Sequence, residues 1–390
     1  MRRLAALVAL LAGSVHGWQH WYADGEFEVA DANTILVRAP ASGEQAGAYT
    51  LPDMQDKSGH VLSVKVMAED WRAVEIAQVI LSTAGYFEEY VAVDLAGLLV
   101  EPADGMWLDV AVPTASWFAT PQADWRSVNG MVVRVVSEPG SEAVVGFRDI
   151  TFTPARAHAG VISLAFDDGW GDVADVAFPL MEDYGFTGTV YAIPELVGVE
   201  RWGLRYMDQQ ELYDLQRAGW EIGAHGEFPL TELDWDEARR HLEYSSQWLA
   251  ASGFSDRGSY AYANGMYDEA SLALVGELYM TGRTINPRAD TLGFASRLQL
   301  SGLSLYPELA QEDIEQQIRL ASDGGGWLII TFHQFRDVPE FDTQFPTDRF
   351  EELLAFLVRE RVQVMTVQDA WEHNLQIARC GPVPHPEFSC

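Results

Sequence analysis

Cysteine is nearly missing from this 390-residue chain: there are two, Cys380 and Cys390, at the ends of the tail CGPVPHPEFSC. Two thiols exclude a zinc knuckle, and nothing beside them points to a thiol nucleophile. In an exported protein they are expected to close a small disulfide loop. Lysine is as scarce, with only Lys57 and Lys65, and 58 carboxylate residues face 25 basic ones for a net charge of −33. Such a surface repels nucleic acid and anionic lipid. It suits a salty habitat, a substrate that is neutral or becomes cationic, or simply solubility. Long hydrophobic runs are absent too. The apolar stretch LAALVALLAG is too short to span a bilayer. Arg2 and Arg3 precede it, and Val15 and Gly17 stand at the small-residue positions of a cleavage site. Residues 1–17 are therefore expected to be a signal peptide, without a lipid-anchor cysteine, and the protein to be secreted or periplasmic. Low-complexity tracts are lacking, and 48% of residues are hydrophobic. The chain is long enough for two globular domains.

Residues 18–155 read as all-β. Segments such as HVLSVKVMAED, MWLDVAV and AVVGFRDITFTP alternate apolar and polar residues, punctuated by Gly, Pro, Asn and Asp. The pattern is similar to the jelly-roll sandwich modules that accompany carbohydrate-active enzymes. Trp107, Trp117, Phe118 and Trp125 are available either as core or as platforms for sugar rings. After the linker PARAHAG the period changes. Over residues 160–379, strand-like runs (VISLAF, TVYAI, WEIGAH, SYAYA, LIITF) alternate with helical ones such as DEARRHLEYSSQWLAASG. That order predicts an α/β domain with a parallel sheet, open or closed as a (β/α) barrel, followed by the tail 380–390. Chemistry in such folds sits at the C-terminal ends of the strands.

Six polar residues fall at predicted strand ends: Asp167, Asp168, His225, Asn264, Arg283 and His333. In AFDDGW, two adjacent carboxylates cannot both ionise cheaply without compensation. A divalent metal on one, with the other left as a base, is one solution. Capping of a helix N-terminus by DDGW is the other. His333 closes the apolar strand LIITF and, beside a carboxylate base, suits a general acid. Arg283, in TGRTI, is a cation whose place is beside carboxylates or on the surface.

In this order the residues resemble the polysaccharide deacetylase family, the NodB-like carbohydrate esterases of family four, over residues 160–372. AFDDG is similar to the first family motif, GWEIGAHG to the approach to the second, and YAYANG stands at the third. GRTI is similar to a fourth-motif arginine and LIITFH to the last motif. The resemblance implies a distorted (β/α) barrel that removes N-acetyl groups from a polysaccharide with a divalent metal, zinc first and manganese, cobalt or iron as alternatives. It implies Asp167 as general base, Asp168 and His225 as metal ligands, His333 as acid, and Arg283 as the residue orienting Asp167. The Tyr262, Asn264 and Gly265 loop would contact substrate, with a backbone N–H near Asn264 on the oxyanion.

The family's second motif carries two histidines, whereas this chain reads His225, Gly226, Glu227, Phe228, Pro229. Three readings stay open. Glu227 replaces the missing ligand; or Asp168 and His225 hold metal alone; or the site is metal-free. His241 lies inside a long amphipathic pattern, away from that turn in sequence. Two other functions compete with the deacetylase: a non-catalytic glycan-binding protein with a degenerate barrel, and a metal-independent C–N hydrolase of small cyclic amides.

Overall fold

The computed structural model describes residues 17–21, 25–43, 45–50, 55–85, 87–99, 103–114, 117–154, 159–201 and 203–379. The expected signal peptide, apart from Gly17, and the Cys380–Cys390 pairing lie outside these described residues. The chain divides into two compact units, Met1–Ala155 and Arg156–Cys390.

The first unit is built of strands β1 (Gln19–His20), β2 (Glu26–Asp31), β3 (Thr34–Ala39), β4 (Gln45–Thr50), β5 (His60–Ala68) and β6 (Val74–Ala84). Strands β7 (Glu89–Asp94), β8 (Leu108–Pro113), β9 (Phe118–Ala119), β10 (Gly130–Ser137) and β11 (Ala143–Pro154) complete it. They form two antiparallel sheets, ordered β1-β4-β10-β6-β7-β9 and β2-β3-β11-β5-β8. Alternation along each strand buries one face: Val79, Val133 and Val135 in the first sheet, Val66, Val145 and Phe147 in the second. Of the aromatics read from sequence, Trp117 is core and packs edge-on against Trp125, while Phe118 is 62% exposed.

The second unit carries the parallel strands β12 (Val161–Phe166) and β13 (Thr189–Ala192), then a hairpin of β14 (Glu200–Arg201) and β15 (Leu204–Arg205). Next come β16 (Glu221–His225), β17 (Ser259–Ala261), β18 (Thr281–Arg283), β19 (Asp290–Thr291), β20 (Leu303–Ser304) and β21 (Gly326–Phe332). Short strands β22 (Gln334–Arg336), β23 (Gln344–Pro346) and β24 (Gln363–Val364) follow. The sheet runs β18-β17-β16-β13-β12-β21-β19 and curls strongly. One short segment reaches across its open side: Leu300 bridges Arg283 of β18, and Leu303 and Ser304 pair with β21. This is the distorted (β/α) barrel expected from the sequence. Burial on both faces explains why β12 and β21 read as unbroken apolar runs rather than alternating ones.

Helices outside the sheet begin where the sequence writes a stop and a cap. Asp208, Asp234 and Asp268 each accept from the backbone N–H three residues on, and Glu211, Glu237 and Ser271 reciprocate. The central strand β16 leaves no room beside Gly223. A Cβ there would lie 2.7 Å from Ser259 Oγ and 2.8 Å from the Tyr191 ring. Gly223→Ala is therefore expected to destabilise the fold by about 1–3 kcal/mol, seen as a lower urea midpoint with an unchanged denaturant slope.

Candidate active site

Asp167 directly follows β12, His225 ends β16, Arg283 ends β18 and His333 directly follows β21, so the four share one rim. The backbone sets their directions. Asp168 and Gly169 both adopt left-handed conformations, with φ of +67° and +82°. This sharp turn points the two adjacent carboxylates apart, which removes the repulsion noted in the sequence. Neither caps a helix.

Asp167 turns inward. Its carboxylate is 4% exposed and both oxygens accept from Arg283 Nη2, at 2.6 and 2.7 Å. Arg283 is fully buried, and its guanidinium stacks 5.1 Å from the Tyr191 ring centroid. Burial alone would raise the Asp167 pKa, but the Arg283 guanidinium beside it overcomes this and holds it below the usual carboxylate value. His333 Nε2 stands 4.0 Å from Asp167 Oδ2, and the Asp167 N–H donates to the Phe332 carbonyl, locking the two strand ends together. His333 Nδ1 is buried without a hydrogen-bond partner, so no carboxylate orients that ring from behind.

Asp168 turns the other way. Its Oδ2 accepts from Trp170 Nε1 at 2.8 Å, and its Oδ1 faces His225 Nε2 at 3.4 Å. His225 Nδ1 contacts the Ala261 carbonyl at 2.8 Å. A carbonyl only accepts, so Nδ1 carries a proton, and in the neutral tautomer Nε2 presents its lone pair to a carboxylate oxygen. In that tautomer two acceptors face each other, an arrangement that a cation between them would satisfy. Two ligands ~2.1 Å from one tetrahedral ion lie ~3.4 Å apart, which matches the gap. Asp168 and His225 thus fit a divalent ion as a two-residue half-site.

Glu227 does not join them. Its Oε1 accepts from Arg201 Nη1 of the hairpin, which ties down the turn after His225. Among the described residues no group of three or more His, Cys, Asp or Glu side chains is disposed around one ion. In this structure Glu227 is paired with Arg201 rather than turned toward Asp168 and His225. His241, on the helix Trp235–Ala251, packs its Nδ1 3.3 Å from Glu195 Oε1. The third-motif residues are also redistributed. Tyr262 is 1% exposed and packs edge-on against Tyr260, so it is core, not a substrate contact. Asn264 is exposed at φ +54°, next to Gly265 at φ +68°, in the turn beyond β17.

Sequence reasoning missed three contributors. Trp170 holds Asp168 and stacks on Tyr206 with ring centroids 4.2 Å apart. Burial and the Asp168 charge push the Tyr206 hydroxyl up to about 12. Asp172 accepts from the Phe335 N–H and from Arg336, fixing the segment just after His333. The tryptophan in AFDDGW was the available signal for the first; Tyr206 and Asp172 arrive only through folding.

Residues 155–282 match the family model described as polysaccharide deacetylase. Asp167, Asp168 and His225 lie inside that match; Arg283 and His333 lie beyond it. No curated protein matches the chain. Among solved structures it is similar to the Xyl-CE4 domain of a multidomain xylanase from the hindgut metagenome of Trinervitermes trinervoides. That likeness is at 14% identity and TM-score 0.39, covering 55% of this chain and 91% of that one. It is similar to a family 4 carbohydrate esterase from Streptomyces lividans at 13% identity and TM-score 0.38, covering 53% and 91%. It is also similar to the peptidoglycan deacetylase PdaC from Bacillus subtilis at 16% identity and TM-score 0.39, covering 57% and 95%. Residues 155–282 are thus similar to the polysaccharide deacetylase family, in keeping with the resemblance read from the motifs.

Because the folded pKa of Asp167 is depressed, its stabilising share is present above the unfolded value of ~3.9. It is lost as pH falls through the lower folded value. Arg283→Met leaves this buried carboxylate without its partner. The variant is expected to lose about 3–5 kcal/mol of stability at pH 7, measured by urea denaturation, and Asp167→Asn in that background should recover part of it.

Proposed function

We propose that the chain is an exported, metal-dependent N-deacetylase of an extracellular polysaccharide. The observation that carries this is the half-site of Asp168 and His225, two acceptors facing each other, beside a carboxylate that Arg283 keeps ionised. A divalent ion held there, zinc before manganese, cobalt or iron, would polarise an amide carbonyl and acidify a water. An amide is a poor electrophile, so the chain's own groups have to manage the protons. Asp167 takes the proton of the attacking water and His333, 4.0 Å from it, delivers one to the departing nitrogen. Arg283 holds Asp167 in place, and Trp170 commits one Asp168 oxygen so that the other stays aimed at His225. Tyr206 supplies a donor beside the same carboxylate. A neutral acetylated glycan that becomes cationic on deacetylation also suits a chain of net charge −33. The basic, apolar start of the sequence supports export.

The test is acetate release from chitin oligomers, poly-N-acetylglucosamine and peptidoglycan, with and without chelator. Asp167→Asn and His333→Ala are each expected to lower kcat/KM by about 10²–10⁴-fold. Folded protein with added metal that releases no acetate from any of them would sink the proposal.

A second reading, a glycan-binding protein with a degenerate barrel, is favoured by the missing third ligand among the described residues. Elemental analysis separates the two. With Glu227 paired to Arg201, Glu227→Ala should leave metal content unchanged, whereas Asp168→Asn or His225→Ala should remove it. Metal-free wild-type protein would favour the binding protein.

A further inference from the structure

The N-terminal unit has a groove of about 600 Å³, within the range of ~300–1,000 Å³ usual for ligand sites. It lies on the face of the β1-β4-β10-β6-β7-β9 sheet opposite the buried row Ala48, Val133, Val79 and Val93. Strand register gives that face two parallel rows. One runs Tyr49, Val132, Ile80, Ala92 and Phe118; the next is polar and runs Arg134, Gln78 and Asp94. Rows two residues apart along a strand are separated by ~7 Å, so a flat ring laid on the first reaches the second with the groups on its edge.

The polar row is set in advance. Arg134 Nη1 donates to Gln78 Oε1 at 2.9 Å, which commits the Gln78 carbonyl and leaves its NH₂ as a donor. Asp94 Oδ1 accepts from the Ala77 and Ala96 N–H groups and so is fixed by backbone. Arg134 Nε is buried and has no hydrogen-bond partner, a donor that folding leaves to be satisfied from elsewhere. Aromatic rings supply much of the rest of the lining. Trp21 rests on Gly47, where a Cβ would stand 3.2 Å from the tryptophan Cβ, and meets Phe87 edge-on at 4.3 Å. Tyr90 and Phe118 form a second pair, and Phe118 is 62% exposed.

An aromatic platform beside a ladder of donors and acceptors is matched by a ligand with an apolar C–H face and hydroxyls around its edge. The charges of Arg134 and Asp94 offset one another, and a chain of net charge −33 disfavours a polyanion. We infer that this groove is a glycan-binding site for a neutral, pyranose-based polysaccharide, with Phe118 stacking on a sugar face and Arg134, Gln78 and Asp94 bonding its hydroxyls. The inference rests on the polysaccharide reading of the barrel and gives the first unit the task of holding the polymer.

The test uses the full chain carrying Asp167→Asn, so that turnover plays no part, in native gels cast with glycol chitin or with alginate. Asp167→Asn alone should be retarded by glycol chitin and not by alginate. Adding Phe118→Ala or Arg134→Met should weaken retardation by about tenfold in apparent Kd. Phe118→Ala removes a ring already in solvent, and a matching thermal melt would show that folding is intact. Equal retardation with and without the groove substitutions would overturn the inference, as would no retention by glycol chitin or a preference for alginate. Failure of the deacetylase reading shows separately, as no acetate release by the unsubstituted chain.

Discussion

The ion pair between Arg283 and Asp167 is the constraint on which the barrel's mouth depends. Arg283 ends β18 and Asp167 follows β12, with β17, β16 and β13 between them in the sheet, so the pair spans the ring rather than joining neighbours. A buried pair contributes little net stability, since desolvation offsets the attraction, but breaking it strands a charge. Its value here is chemical. Without Arg283, burial would neutralise Asp167; with it, the carboxylate stays ionised in a place where water would otherwise be needed to keep it so. Tyr191, beneath the guanidinium, and the Leu300 bridge that closes the barrel beside Arg283 both serve to hold that cation still.

From this centre the site grows outward in two directions. The inward branch sets Asp167 between Arg283 and His333. The outward branch, Asp168 with Trp170 and His225, presents a matched pair of acceptors. The turn after His225 is tied to the β14–β15 hairpin by the pairing of Arg201 with Glu227.

Much of this was legible beforehand. The capping boxes at Asp208, Asp234 and Asp268 announce helices, and the runs VISLAF and LIITF announce strands buried on both sides. Strand ends then point to Asp167, His225, Arg283 and His333. The less readable residues depended on packing. Tyr262 and Phe118 are both aromatics near strand ends, yet one is enclosed by neighbouring tyrosines and the other stands in solvent on an edge strand. Nothing local distinguishes them. Glu227 looked like a ligand because of its spacing from His225, and its actual partner lies 26 residues away.

The sequence by itself determined the periods, the caps and which chemical groups reach the rim, because these depend on neighbours a few residues apart. It also placed two carboxylates side by side. Only the tertiary structure decided what each does. The left-handed turn at Asp168 and Gly169 sends one into the barrel toward Arg283 and the other out toward His225 and Trp170. A carboxylate's charge state and partner are set by what lies within a few ångströms, and those neighbours come from strand order rather than from position along the chain.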